Sequence, residues 1–287
     1  MLKISSAQFA ALAAALAAPE RRRRALQVLQ AFPRYRAGLD AARVEALLDQ
    51  AEARAAEGGF ACARGILLHV HLALRLGIDW ERDPQHPWAV QADAAVMHDP
   101  EATLARLVDA AAAWRLRVMG AEDGRFIAAA ERYISQPAEQ WLPRAGRSQA
   151  DLLAHLAWLH PEKRAAVPDE TIAALVGIAL EDCRATGMTE RAGIVLATVL
   201  AFLFGSGVLH DPVFVEVRDA LGDASLAPAD RVHTAAQAAN NWIRVHLLAP
   251  ASGAAPVIVW PIPGLDEAGM DPSEPMIVRA KKAQGTP

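Results

Sequence analysis

The chain has 287 residues, 53% of them hydrophobic, and a formal net charge of −4. That length and apolar content supply a sizeable core, while the mild acidity argues against a general nucleic-acid binder. Aromatic residues reach only 6% and the apolar remainder is mostly Ala and Leu, the strongest helix formers, so the composition predicts an all-α protein.

The N-terminal stretch MLKISSAQFAALAAALAAPE imitates a secretory signal, with a lysine, an Ala-rich run and a small-residue end. It is only mildly apolar. Ser5 or Ser6 as a cap, with Phe9, Leu12 and Leu16 on one face, predicts a helix instead. The two cysteines, Cys62 and Cys183, form no CxxC. Both features point to a cytoplasmic protein without a disulfide framework. Arg21 to Arg24 run round a helix rather than along one face, which predicts a solvated helix start and not a phosphate site.

Val44, Leu47, Leu48 and Ala51 form an apolar stripe that ends at Gly58-Gly59. A central apolar helix follows, up to Gly77. The connection DWERDPQHPW (79–88) carries two prolines that discourage regular helix. Asp99-Pro100 opens another helix, with Asp99 as cap and a stripe of Leu104, Leu107, Val108, Ala111 and Trp114.

The same series is written a second time. GFACARGILLHVHLALRLG (59–77) aligns without gaps on GMTERAGIVLATVLAFLFG (187–205), an offset of 128 that also places Asp83-Pro84 on Asp211-Pro212 and Trp114 on Trp242. This predicts two tandem, duplicated helical bundles, residues 1–120 and 121–249, with helix starts in the second at Asp169, Thr189 and Asp211-Pro212. His69 and His71 lie two apart on the central helix, about 200° round it, and cannot share a metal. Their counterparts are Ala197 and Val199, so the helix is built without histidine in its other version. The apolar run 192–209 approaches the length of a membrane span, but its counterpart carries Arg64, His69, His71 and Arg75, which predicts a core helix and no membrane insertion.

From Pro250 the composition shifts to Pro, Gly and β-branched residues. Val257, Ile258, Val259, Trp260 and Ile262 make one extended apolar stretch, and Met276, Ile277 and Val278 another. Residues 250–287 are expected to form an extended arm, with a short hairpin as one option. It either packs on its own bundle or docks on a partner.

There is no Gly-rich phosphate loop, HExxH or GxSxG, and the expectation is a protein without catalytic residues, cofactor or metal. The segment 74–89, with Leu76-Gly77, Asp79-Trp80, Asp83-Pro84 and Pro87-Trp88-Ala89, resembles small helical bacterial proteins encoded beside the VgrG spike and PAAR tip proteins of type VI secretion clusters. The resemblance covers about residues 1–115, and the second copy lacks the Pro-Trp pair. It implies adaptor or chaperone work on a spike, tip or effector protein. The alternatives are an immunity protein that neutralises a co-encoded toxin, and a metal-dependent enzyme using the Asp79–His86 loop. The partner-binding candidates are Trp80, Asp83, Pro84 and Trp88 in the connection, and Val257, Ile258, Trp260 and Ile262 in the arm.

Overall fold

The computed structural model describes residues 40–58, 63–89 and 100–248. The expected N-terminal helix, the Asp99 cap and the arm with Val257, Ile258, Trp260 and Ile262 lie outside them. The described residues are all-α and contain no strand. Eleven helices are named here: α1 Ala41–Glu57, α2 Ala63–Leu76, α3 Pro100–Val118, α4 Gly124–Ser135, α5 Ala138–Ala145, α6 Gln149–Leu159, α7 Pro161–Ala166, α8 Asp169–Ala185, α9 Arg191–Phe204, α10 Val215–Gly222 and α11 Pro228–Trp242.

Local chemistry explains several boundaries. Asp40 caps α1 by accepting the Arg43 amide, and the predicted stripe Val44, Leu47, Leu48 and Ala51 is buried. Ser148 caps α6 through the Asp151 amide. The helix expected to begin at Thr189 begins at Arg191, and Glu190 at its N-cap makes no side-chain cap bond. Asp169 is the first residue of α8 rather than its cap, a place held by Pro168.

The 128-residue offset recurs in the element ends. α1 and α8 start and stop 128 positions apart, as do α2 and α9, and α3 and α11 begin at Pro100 and Pro228. α1 packs on α2 as α8 packs on α9. The buried apolar residues from Val44 to Leu247 form one continuous core rather than two.

The centre of this arrangement is a pair of glycines. Gly77 ends α2 with φ +98° and Gly205 ends α9 with φ +104°, a region that L side chains rarely enter. They lie back to back. A Cβ on Gly77 would strike the Phe204 carbonyl oxygen, and one on Gly205 would strike that of Leu76. The chain leaves both helices at this contact, so the two connections that follow, 78–89 and 206–214, meet at the junction of the halves.

Candidate functional site

The first connection folds inward. Trp80 is 2% exposed, with its ring stacked on Trp88 at 6.0 Å between centroids and tilted against His69 at 5.1 Å. His86 packs on Trp88 and edge-on to Trp114. Its Nδ1 lies 3.1 Å from the Trp80 carbonyl oxygen, which makes Nδ1 the donor. Burial pushes the His86 pKa down to about 4, with Asp83 opposing and Lys163 adding to the shift. Of the partner-binding candidates in this loop, Trp80 and Asp83 therefore face the chain's own interior, and Pro84 and Trp88 are half-buried.

The two histidines of the central helix have internal roles as well. His71 Nε2 accepts a hydrogen bond from Arg75 Nε at 2.9 Å, and burial together with Arg75 and Arg115 holds its pKa well below the usual value. His69 is driven to about 4 by burial and Arg54.

The loop does not gather its acidic residues around one point. Asp83 spends its oxygens on structure: Oδ1 accepts from the Gln85 amide at 2.8 Å, and Oδ2 from Gln85 Nε2 at 3.1 Å and from the Ser206 amide at 2.7 Å. Asp79 and Glu81 turn the other way, toward Arg54. Among the described residues no group of three His, Cys, Asp or Glu side chains is arranged to hold a metal. Nor is any described helix long and apolar enough to cross a membrane.

Where Asp79 points, a solvent-open cleft lies between the halves. Its walls are Arg54 of α1, Asp79 and Arg82 of the first connection, Ile178 and Asp182 of α8, and Ser206 and His210 of the second connection. Its volume is about 160 Å³, against the roughly 10–15 Å³ that one water needs. Arg54 is held by Asp79 at 2.5 Å, Glu57 at 3.3 Å and Glu81 at 3.5 Å, and Arg82 by Glu57 at 3.1 Å. The half-exposed His210 stands between two carboxylates, 3.9 Å from Asp79 and 3.6 Å from Asp182. Burial raises the Asp182 pKa, His210 lowers it and Asp79 raises it further.

A third feature lies on α6, which the sequence reading passed over. Leu152, Leu156 and Leu159 face the core. The opposite side carries Ala150, Asp151, Ala154, Ala157 and Trp158, all exposed, with Leu153 half-buried beside them. Beyond Asp151 in the first turn this exposed side is apolar, where a solvated helix face normally carries polar and charged residues. Trp158 is 40% exposed and belongs to a ladder of rings: it leans on His155, which stacks on Trp141 at 4.6 Å and 10°, and Trp141 meets Tyr133. The ladder fixes the indole on a rigid base. The sequence signal was the run LLAHLAWL (152–159), which contains no charged residue.

No family model, curated protein or solved structure matches the chain.

Proposed function

We propose that the chain is a non-catalytic interaction protein, built from two copies of one helical unit, which docks a partner protein through the exposed face of α6. The carrying observation is Trp158: a large aromatic left 40% exposed on a stripe that is apolar beyond Asp151, pre-positioned by His155 and Trp141. Exposed, rigidly held tryptophans lose little conformational freedom on binding and commonly dominate interface energetics. The flanking alanines suit this use, because they let a partner's helix or strand approach closely. The matched helix ends and the reciprocal contacts between the connections support the two-copy reading.

The resemblance of residues 74–89 to proteins encoded beside type VI spike and tip proteins suggests which partner. In this reading the chain is a cytoplasmic adaptor or chaperone for a spike, tip or effector protein. The residues carrying that resemblance, Gly77, Trp80, Asp83 and Trp88, shape the junction of the halves, so they act as scaffold and α6 as contact.

The test is co-expression of the tagged full chain with the spike, tip and effector proteins encoded beside it. The expected result is a stable complex with one of them, lost with Trp158→Ala and without inhibition of any toxin activity. Inhibition of a toxin by the bound chain would replace this reading with immunity, and absence of any complex would remove it.

A further inference from the structure

The cleft between the halves does not take part in the α6 reading, and its chemistry is specific enough to name a ligand group. Three acceptors line it without strong partners of their own. Among the described residues, Asp79 Oδ1 is taken by Arg54 while Oδ2 has only His210, at 3.9 Å, and the Asp182 carboxylate has only His210, at 3.6 Å. Ser206 is 5% exposed, and while its backbone amide is bonded to Asp83, its hydroxyl makes no hydrogen bond among the described residues. Gly207 lets Asp79 lie this close, since a Cβ there would come within 2.6 Å of Asp79 Oδ2.

The charge of the walls runs the same way. Two carboxylates, Asp79 and Asp182, and two guanidiniums, Arg54 and Arg82, line the cleft before His210 is counted. The guanidiniums are already engaged, Arg54 by Asp79 and by Glu57 and Glu81 behind the walls and Arg82 by Glu57, which leaves the negative charge on the Asp79–Asp182 side. His210 occupies that side without a hydrogen bond to either carboxylate, the position a better donor would take. A primary ammonium group has three N–H donors and no acceptor, which matches two carboxylate oxygens and one hydroxyl oxygen. Charge-assisted bonds of this kind are about twice as strong as neutral ones.

We propose that this cleft binds a primary ammonium group, held by Asp79, Asp182 and Ser206. The group belongs either to a small free amine or to a lysine side chain of a polypeptide. Ile178 supplies the one apolar wall, against which the carbon next to the nitrogen rests.

The test is titration of the full-length protein with ethylammonium, tetramethylammonium and Nα-acetyl-lysine methylamide, followed by nuclear magnetic resonance at the His210 ring. Ethylammonium is expected to saturate with a Kd on the order of 1 mM, the scale set by so few heavy atoms. Tetramethylammonium has equal charge and no N–H donor, and it should bind at least about tenfold more weakly. Asp182→Asn should weaken ethylammonium by a similar factor, with folding checked by circular dichroism. Comparable binding by the acetyl-lysine derivative assigns the cleft to a polypeptide lysine, and binding by ethylammonium alone assigns it to small amines. Equal affinity for ethylammonium and tetramethylammonium, or no saturable binding by either amine, overturns the proposal even if the Asp182 variant fails to fold. The α6 interface is untouched by these outcomes.

Discussion

Asp83 and Asp211, 128 positions apart, each face a backbone amide of the opposite half: Asp83 accepts from Ser206 at 2.7 Å, and the Ile78 amide lowers the pKa of Asp211. Ile78 and Ser206 are themselves 128 apart, so the two amides stand at the same offset as the two aspartates. Each aspartate also accepts the amide two residues on, Gln85 and Val213 respectively, both at 2.8 Å. The halves are therefore latched by polar contacts as well as by a shared apolar core.

Replacing Asp83 with alanine strands three buried donors: the Gln85 amide, Gln85 Nε2 and the Ser206 amide. Each buried unsatisfied group costs about 1–3 kcal/mol, so Asp83→Ala should destabilise by about 3 kcal/mol or more in urea unfolding. Asp219→Ala, at an exposed surface pair with Arg218, should stay within about 0.5 kcal/mol.

The glycine contact should be less forgiving still. Gly77→Ala and Gly205→Ala meet both a left-handed backbone and the opposite half's carbonyl. Each is expected to lose about 3 kcal/mol or more, or to prevent folding. Gly187 has φ +77° but open space around it, so Gly187→Ala should cost only about 1 kcal/mol. Thermal unfolding of the three variants checks the ranking.

Acid should unfold the protein early. His69, His86, His155 and His160 are each held near 4 by burial, against an ordinary value of 6.5. They remain neutral in the fold but take up protons when unfolded, so their contribution is present above about pH 6.5 and lost as pH falls toward 4. Asp211 runs in the opposite sense, raised to about 7 by burial, and favours the fold less as pH rises from about 4 to 7. The second half has Phe214 where the first has His86. His86→Phe should therefore stabilise the protein by about 2 kcal/mol more at pH 5 than at pH 7.5, read from paired denaturation curves. An equal effect at both pH values would contradict a buried neutral imidazole.

Trp158→Ala should separate binding from folding. The indole is 40% exposed, so its loss should cost about 1–2 kcal/mol of stability while weakening partner binding by at least about 2 kcal/mol, the range of an interface anchor. A large drop in melting temperature would instead make the ring ladder a structural element.

Helix class and the α1 stripe were legible because each depends on local composition and spacing. The direction of the first connection was left open. Trp80 and Trp88 stand off any core stripe and suit either an interface anchor or a plug at the end of their own bundle, and the Gly77–Gly205 contact that turns the connection into the junction and buries Trp80 involves residues adjacent only in the folded chain. The α6 surface was hidden for a different reason: an apolar run with no period does not tell which side will be left uncovered. The cleft escaped because Arg54, Asp79, Asp182 and His210 are adjacent only in the folded chain. The Arg75 partner of His71 was not singled out, although it stands one turn on along the same helix.

The central claim is that this chain works by docking a protein through α6. Its most direct test is the affinity of the full chain and of Trp158→Ala for whichever neighbouring spike, tip or effector protein forms a complex, measured by isothermal titration calorimetry. The account predicts saturable binding by the native chain and at least about 30-fold weaker binding by the variant. Equal affinities for the two would place the interface elsewhere and contradict it.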